Sequence, residues 1–325
     1  IDCPGYADFF GEVISGIRAI DGAVIVVEAS AGIEVGTERA WQLLEESKIP
    51  CIIFINKTDR EGVDVDKVLL DIQEGFSKNA MMIDSIDAPE LIEAIVESED
   101  KLLEKYLEGV KLSPEELTAG LRQAVIKRNV FPVLAGSAST DKGIPQLLDT
   151  IVQCLPSPLE RPKIEAADAL KPDAKKEIQF KENAPFCAFV FKSISDPYVG
   201  QLTLLRVFSG SLASNTGFYN VNRRARERIG QIYILQGKTE KGVEAASCGD
   251  IVAIAKLKET KTSDSLCEEK EQALFEPIVF PEPAISASVK PKTRQDEDKI
   301  SGALSKLAAE EIVLSQLKPP FRAEH

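Results

Sequence analysis

The chain has 325 residues, of which 44% are hydrophobic and 28% are charged, with 20 glycines and 18 prolines. This is ordinary globular usage, and it excludes collagen-like, low-complexity and wholly disordered chains. At roughly 150 residues per domain, the length predicts about two domains. No apolar stretch approaches the roughly 18 residues of a membrane span, and no signal-peptide pattern opens the chain. We therefore expect a cytoplasmic protein with no membrane partner.

Charge and rare residue types exclude several kinds of site. Lys and Arg number 39 against 52 Asp and Glu, so the net charge of −13 gives no overall basic surface for nonspecific nucleic-acid binding. The single histidine is His325, which removes His-based triads and His metal sites from the folded body. The six cysteines form no CxxC pair and several lie in apolar runs, so they are predicted to be buried free thiols.

The first half of the chain alternates buried strands with helices. Apolar runs at 22–27, 51–55 and 130–134 are typical of strands covered on both faces. Helices are predicted at 37–46, at 65–72, from a capping box at Ser113 onward and at 144–154. The acidic segment 90–108 is predicted to be a solvated helix face. The alternation predicts an α/β fold with a doubly wound parallel sheet, whose ligands bind at the carboxyl ends of the strands.

The second half of the chain has a different sequence pattern. Prolines at 156–162 and the charged stretch that follows predict a linker, and short β-rich runs from 186 to 280 predict an antiparallel β-barrel. A helix predicted at 296–310 indicates the start of a third, α+β domain. The predicted domains are 1–160 for the α/β domain, 161–183 for a linker or edge, 184–281 for the barrel, and 282–325 for the start of the third domain and a tail.

One motif follows the second buried strand directly. Asn56-Lys57-Thr58-Asp59 has the pattern NKxD. The Asp59 carboxylate can accept hydrogen bonds from both N1–H and the exocyclic amine of guanine, Asn56 can steady neighbouring loops, and the Lys57 stem can cover the ring face. Adenine lacks these two donors together, so the motif predicts guanine binding.

Two further motifs fit the same ligand. Gly136-Ser137-Ala138 follows the third buried strand, where a backbone N–H can donate to guanine O6 and thereby reject adenine. Asp2-Cys3-Pro4-Gly5 is a DxxG motif, in which Asp2 can hold Mg²⁺ through water and Gly5 lets a backbone N–H approach a γ-phosphate. Each motif alone also fits an ordinary strand-to-helix turn, whereas all three in this order favour a guanine nucleotide site.

On these motifs the chain resembles bacterial translation elongation factor G. The resemblance rests on 2–9, 56–59 and 132–138, continues in the barrel at 196–200 and 206–210, and covers nearly the whole chain before the tail at 312–325. It implies a P-loop-type GTPase sheet followed by a β-barrel. It also implies a monomer that binds GTP or GDP with Mg²⁺, binds ribosomal RNA and ribosomal proteins, hydrolyses GTP, and promotes translocation of tRNA and mRNA on the ribosome.

The resemblance also implies a role for each motif residue. It assigns guanine binding to Asn56, Lys57, Asp59, Ser137 and Ala138. Asp2 would hold Mg²⁺ through water, and Gly5 would sense the γ-phosphate. Tyr6 stands where the family usually has the histidine that positions the attacking water, and tyrosine cannot become a cation at neutral pH. We therefore expect slow hydrolysis.

The sequence departs from the family in two further places. The family's P-loop and first switch precede its DxxG motif, whereas this sequence opens after them, so the chain as printed is not expected to be catalytically competent. Gly237-Lys238-Thr239 does not replace the P-loop, because Ile232 stands where the first glycine is required, and a hairpin turn is predicted there. The sequence also passes directly over the family's long insert between about 77 and 81, which fits either a deletion or residues left out of the sequence.

Other functions fit the same residues. The chain could be a non-catalytic ribosome-binding paralogue, a LepA-like factor, which also lacks the insert, or a ribosomal protection protein. A GTP hydrolysis assay with ribosomes separates the catalytic from the non-catalytic alternative. Four arginines at 223, 224, 226 and 228 offer local basic charge in the barrel, but a solvated hairpin is the prediction there and no site is assigned.

Overall fold

The computed structural model describes residues 1–83, 86–161, 163–171, 173–196, 200–237 and 239–282, with isolated residues between 291 and 307. The described chain divides into two compact units. The α/β unit comprises Asp2–Val13 and Ile20–Glu160. The β unit comprises Ile1, Ile14–Ala19 and the chain from Arg161 onward. The helix predicted at 296–310 and residues 197–199 lie largely or wholly outside the described residues.

A four-stranded parallel sheet organises the α/β unit. Its strands are β1 (Ala23–Glu28), β2 (Cys51–Asn56), β3 (Ala80–Met82) and β4 (Phe131–Ala135). They lie in the order β1-β2-β4-β3, and all neighbours are parallel. The predicted α/β fold with a parallel sheet is confirmed, and the three predicted strands agree with β1, β2 and β4 to within one residue at each end. β3 is an addition, since three residues are too few for an apolar run to stand out.

Seven helices are described in the first half of the chain. They are α1 (Phe10–Ile17), α2 (Val35–Glu46), α3 (Val65–Gly75), α4 (Pro89–Val96), α5 (Asp100–Leu107), α6 (Pro114–Ile126) and α7 (Ile144–Cys154). The predicted capping box is present: Ser113 Oγ accepts from Glu116 N at 3.2 Å, and Ser113 N donates to Glu116 at 3.0 Å. The longest of the described helices, α6, has only 13 residues, so none is long and apolar enough to cross a bilayer.

Burial explains why these segments form a sheet with helices on it. The β2 residues Cys51 to Ile55 are all at most 2% exposed, because β2 lies between β1 and β4 and helices cover it. Trp41 of α2 stacks on Phe76 with ring centroids 4.9 Å apart and meets the edge of Phe131 at the same distance. The acidic segment 90–108 is not one solvated face: α4 and α5 each bury an apolar side, led by Leu91, Ile95 and Leu102.

Arg122 on α6 fixes the C-terminal end of α7. Its Nη1 donates to the carbonyl oxygen of Gln153 at 2.7 Å, and its Nε donates to Glu160 Oε1 at 3.0 Å. Glu160 also accepts from Ser157 N at 2.7 Å. The hydrogen bonds from Arg122, followed by the one from Ser157 N, lower the pKa of Glu160 from 4.5 to about 2.

This pair should make stability depend on pH in the acid range. Because the folded pKa of Glu160 is depressed, its contribution is fully present above about pH 4.5 and is lost as pH falls towards 2. We expect Arg122→Met to lose about 1 kcal/mol of pH-dependent stability, a value reduced for the partial exposure of the carboxylate. Urea unfolding of both proteins between pH 2.5 and 6 measures it. A difference that stays constant over that range would contradict the assignment.

The β unit is built from antiparallel strands. They are β5 (Ile164–Asp168), β6 (Lys175–Ile178), β7 (Cys187–Asp196), β8 (Gly200–Ser209), β9 (Ser211–Ala213), β10 (Gly217–Asn220), β11 (Ala225–Arg228), β12 (Ile232–Gln236), β13 (Thr239–Val243), β14 (Ala245–Ser247), β15 (Ile251–Ala255), β16 (Ser265–Cys267) and β17 (Ala273–Leu274). Eight form one sheet in the order β11-β10-β16-β7-β8-β15-β12-β13, while β14 pairs with β9 and β17-β5-β6 form a third sheet. The predicted antiparallel β-rich region is confirmed.

Two details of the β unit bear on the predictions. Residues 161–183, predicted as a linker or edge, contain the β5–β6 hairpin. Gly237, with a φ of 58°, lies in the turn that joins β12 to β13, whose Gln236 and Thr239 are paired. The predicted hairpin is confirmed by the pairing of β12 with β13, which places a strand and no helix after this segment, while Lys238 itself lies outside the described residues.

Candidate guanine nucleotide site

Three loops leave the carboxyl edge of the parallel sheet side by side. They follow Glu28 of β1, Asn56 of β2 and Ala135 of β4, and the register pairs Glu28 with Asn56 and Ile55 with Ala135. Backbone hydrogen bonds join the loops: Ala29 N donates to the Asn56 carbonyl at 2.9 Å, and Thr58 N donates to the Gly136 carbonyl at 3.1 Å. The central loop, after β2, is thus held from both sides.

The Asn56 side chain joins two of the sequence motifs. Its Oδ1 accepts from Lys57 N at 2.8 Å and from Ala138 N at 3.0 Å. Lys57 has a left-handed backbone with φ 63°, so the chain turns sharply after β2. One amide oxygen therefore fixes the NKxD loop and the Gly136-Ser137-Ala138 loop against each other.

Asp59 carries an exposed carboxylate next to this junction. Ser139 Oγ donates to Asp59 Oδ2 at 3.4 Å, and the Ser137 and Ser139 hydroxyl oxygens are 2.9 Å apart. Hydrogen bonding from Ser137, then from the backbone N–H of Asp59 itself and from Ser139, lowers the pKa of Asp59. At neutral pH the group is ionised and can only accept hydrogen bonds. Sequence reasoning missed Ser139, although a second hydroxyl two residues after Ser137 was a visible signal.

In the loop after β4, the backbone N–H groups predicted to bind guanine O6 already donate hydrogen bonds within the protein. Ser137 is fully buried and its N–H donates to the Lys142 carbonyl at 2.8 Å, while the Ala138 N–H donates to Asn56. The expectation of a free backbone donor for guanine O6 therefore needs a correction at Ser137, whose N–H closes the loop itself. Ala138 is exposed, so its N–H can be shared with a ligand oxygen.

Glu28 is a charged group that sequence reasoning missed. The Lys57 ammonium and the Arg60 guanidinium both pair with the Glu28 carboxylate, and Ser30 Oγ donates to Glu28 Oε1 at 2.8 Å. These hydrogen bonds, the one from Lys57 first, lower the pKa of Glu28. A lone carboxylate ending an apolar strand, opposite Asn56 in a parallel sheet, was the signal that could have found it. The pairing orients the side chain that would cover the base.

We expect Glu28→Gln to weaken GDP binding about fivefold, because the released Lys57 would no longer be held in one orientation. The ratio of GDP to inosine diphosphate affinity should not change, since covering a ring face does not read the 2-amino group. Competition against a fluorescent GDP analogue measures both quantities. Glu61→Gln removes an exposed carboxylate from the loop after β2, which also carries Lys57, and serves as control. Unchanged affinity in Glu28→Gln would contradict the role.

The residues of the DxxG motif lie apart from these contacts. Asp2, Gly5 and Tyr6 are exposed, and Tyr6, at 79%, precedes a short 3₁₀ turn that Phe9 N closes on the Tyr6 carbonyl at 3.0 Å. Among the hydrogen bonds of the described residues, none joins these three to the loops after β2 and β4. The structure therefore brings together Asn56, Lys57, Asp59, Ser137 and Ala138 and leaves the DxxG residues at the surface.

The described residues hold no preformed metal cage. No group of three or more His, Cys, Asp or Glu side chains among them could bind a metal ion. Mg²⁺ beside a nucleotide usually takes one carboxylate, with the remaining ligands drawn from phosphate oxygens and water, and the exposed Asp2 carboxylate would fit that pattern.

Three families match the chain in order. Residues 1–157 match the elongation factor Tu GTP binding domain, residues 185–269 match elongation factor G domain 2, and residues 280–318 match elongation factor G domain III. A crystal structure of a protein from Thermus thermophilus has a TM-score of 0.81 at 28% identity, over 96% of this chain and 50% of that one. The chain thus spans about half the length of that protein.

These matches bear on the resemblance found in the sequence. A GTP binding domain followed by two elongation factor G domains is an architecture that supports a translational GTPase of the elongation factor G and Tu type. The first match implies guanine nucleotide binding. The fold and the domain architecture expected from the motifs are therefore supported.

Proposed function

We propose that the chain binds GTP and GDP as part of an elongation factor G-like translational GTPase that promotes tRNA and mRNA translocation on the ribosome. The observation that carries the proposal is the junction at Asn56, whose Oδ1 joins the amides of Lys57 and Ala138 beside the ionised, exposed Asp59. The order of the three family matches supports the same function. We propose that it acts as a cytoplasmic monomer.

Guanine recognition follows from the atoms at this junction. Asp59 accepts from guanine N1–H and the 2-amino group, and Ala138 N–H shares its hydrogen bond with O6. The Lys57 stem covers one ring face, while Asn56 holds both loops in place. Adenine offers an acceptor at N1 and no 2-amino group, so it would leave the Asp59 carboxylate without its two donors. Discrimination between the bases therefore rests mainly on Asp59.

The DxxG residues are the ones proposed to contact the phosphates of the nucleotide. Asp2 would hold Mg²⁺ through water, and the backbone N–H at Gly5 would contact the γ-phosphate. Bound Mg²⁺ supplies positive charge that offsets the charge of the phosphates during hydrolysis. Tyr6, exposed after Gly5, would stand beside the attacking water but cannot supply an imidazolium there.

Competition binding tests the proposal directly. A fluorescent GDP analogue bound to the chain is displaced by GDP, inosine diphosphate or ADP. We expect ADP to bind at least roughly 100-fold more weakly than GDP, with inosine diphosphate between them. Equal displacement by ADP and GDP would overturn guanine recognition. Co-sedimentation with ribosomes, with and without GTP, tests the partner separately.

A non-catalytic ribosome-binding role is the second candidate. Tyr6 favours it, because this position lacks the titratable imidazole that the family uses. A LepA-like factor is a related alternative, favoured by the direct passage from the end of α3 at Gly75 to β3 at Ala80, which leaves no room for a long insert. Ribosomal protection proteins share the architecture. Ribosome-stimulated release of phosphate from GTP distinguishes a GTPase from a binding protein.

Tyr6→His should raise ribosome-stimulated GTP turnover by about tenfold or more, since a positioned acid or base contributes roughly that much or greater. Turnover without ribosomes should change little, because the side chain is exposed in the free protein. The measurement is made on the longest natural form of the protein. Tyr6→Phe serves as control for the hydroxyl group. Equal turnover of Tyr6→His and wild type would contradict the proposed position of this side chain.

A further inference from the structure

Two cysteines lie directly opposite each other on neighbouring strands of the β unit. The register of β7 and β16 pairs Cys187 with Cys267. Glu268 N donates to the Phe186 carbonyl at 3.2 Å, one residue pair away. In an antiparallel ladder, hydrogen-bonded and non-hydrogen-bonded pairs alternate, so Cys187 and Cys267 form a non-hydrogen-bonded pair. The Cα atoms of such a pair are about 4.5 Å apart, which lies at the short end of the range that disulfides span.

The two side chains point into the same core. Cys187 is 3% exposed and Cys267 is 0% exposed, and both belong to one hydrophobic cluster with Phe189 and Phe275. Their neighbours Ala188 and Leu266 belong to the other cluster of the β unit. Because side chains alternate along a strand, both sulfur atoms lie on one face of the sheet. Cys187 and Cys267 are not joined by a disulfide in this structure.

Both thiols are buried, and they differ in pKa and in the groove that each borders. Burial raises the pKa of both, that of Cys267 to about 11 and that of Cys187 further, with the nearby Cys267 adding to the rise. Lys176, which pairs with Glu271 at 2.8 Å, opposes the rise at both sulfurs. Cys267 borders a groove of about 830 Å³, and Cys187 borders one of about 340 Å³. Because burial raises the pKa of Cys267 less than that of Cys187, Cys267 is assigned the first attack.

We propose that Cys187 and Cys267 are a site of reversible oxidation to a disulfide by a hydroperoxide. The Cys267 sulfur attacks one peroxide oxygen and the O–O bond breaks. The released hydroxide takes the thiol proton and leaves as water, and Cys267 becomes a sulfenic acid. The Cys187 sulfur then displaces the sulfenic hydroxyl, which leaves as a second water with the Cys187 proton, and the S–S bond forms. Two thiols are oxidised and one hydrogen peroxide is reduced.

The bond would reinforce a short part of the sheet. The register of β16 on β7 covers three residue pairs, from Ser265 to Cys267, with single hydrogen bonds beyond each end. A covalent link at the last of these pairs fixes the end of β16 to the start of β7 and closes a long loop of chain between them. Long closed loops restrict the unfolded state strongly, so the oxidised form should unfold at a higher temperature.

Hydrogen peroxide applied to the native chain tests the proposal. We expect the intact mass to fall by two hydrogen atoms and the tryptic peptides 182–192 and 262–270 to become linked, with both changes reversed by dithiothreitol. The unfolding temperature should rise by about 5 °C. The Cys3→Ser background removes a partly exposed thiol that could link two molecules.

Matched variants separate this pair from the other thiols. Cys187→Ser should abolish the linked peptides, whereas Cys248→Ser, which removes another partly exposed thiol, should leave them unchanged. Peptide mapping of the wild-type chain decides the question even if Cys187→Ser fails to fold. The proposal is overturned if Cys248 is oxidised while Cys187 and Cys267 remain thiols, or if the link forms only in urea.

Discussion

Asp59→Asn should weaken GDP binding at least roughly 100-fold and at the same time create binding of xanthosine diphosphate. The wild-type carboxylate only accepts hydrogen bonds, which suits the two N–H groups of guanine. Asparagine replaces one acceptor with an NH₂ donor, which faces the 2-amino group of guanine unfavourably but can donate to the 2-oxo group of xanthine. Competition against a fluorescent GDP analogue, with both diphosphates as competitors, measures the exchange of specificity.

The control for this substitution is Asp66→Asn, which makes the same chemical change at an exposed position in the first turn of α3. It should leave both affinities unchanged. An Asp59→Asn protein that still prefers GDP over xanthosine diphosphate would show that Asp59 does not read the base. Loss of binding to both nucleotides, with normal thermal unfolding, would point instead to a role in arranging the loops through Ser139.

Gly136→Ala should lower the free energy of unfolding by about 3 kcal/mol and abolish detectable GDP binding. A Cβ atom at Gly136 would lie 2.2 Å from the Lys142 carbonyl oxygen and 3.0 Å from the Phe54 ring. The Lys142 carbonyl cannot retreat freely, because it accepts the buried Ser137 N–H at 2.8 Å. Relieving the clash would therefore displace the loop that meets Asn56. Urea unfolding and nucleotide competition measure the two effects.

Gly230→Ala provides the comparison, since a Cβ atom there would meet no other atom within 4 Å. Its unfolding free energy should stay within about 0.5 kcal/mol of wild type. If Gly136→Ala were equally mild, the close approach of Gly136 to Lys142 would not constrain the loop, and the packing argument for this motif would be wrong.

The parallel sheet could be predicted because burial on both faces leaves a strong local signal. β2 reads as a continuous apolar run, since every side chain from Cys51 to Ile55 is buried. The β5–β6 hairpin, by contrast, was predicted to be a linker or edge because its sequence is rich in charged residues. Its outward positions are charged, and pairs such as Lys175 with Glu165 at 2.6 Å cross between the strands. A composition rich in charge is typical of linkers too, so only the pairing distinguishes the two.

The candidate site likewise contains residues that the local sequence predicts and contacts that only the folded structure reveals. Asn56, Lys57 and Asp59 are within one short segment, so their shared chemistry could be read from spacing alone. Glu28 reaches Lys57 only because β1 and β2 are in parallel register. The engagement of the Ser137 N–H by Lys142 depends on how the loop after β4 folds back. Register and loop closure are long-range properties, and they leave no local pattern in the sequence.

The left-handed backbone at Lys57 has an energetic consequence. A non-glycine residue in that region costs roughly 1 kcal/mol or more, and the bond from Lys57 N to Asn56 Oδ1 helps to offset it. That cost is met once, when the chain folds, because the turn is already made before any ligand arrives. Each later binding event then loses little conformational entropy in the loop, and a greater part of the contact energy remains as affinity.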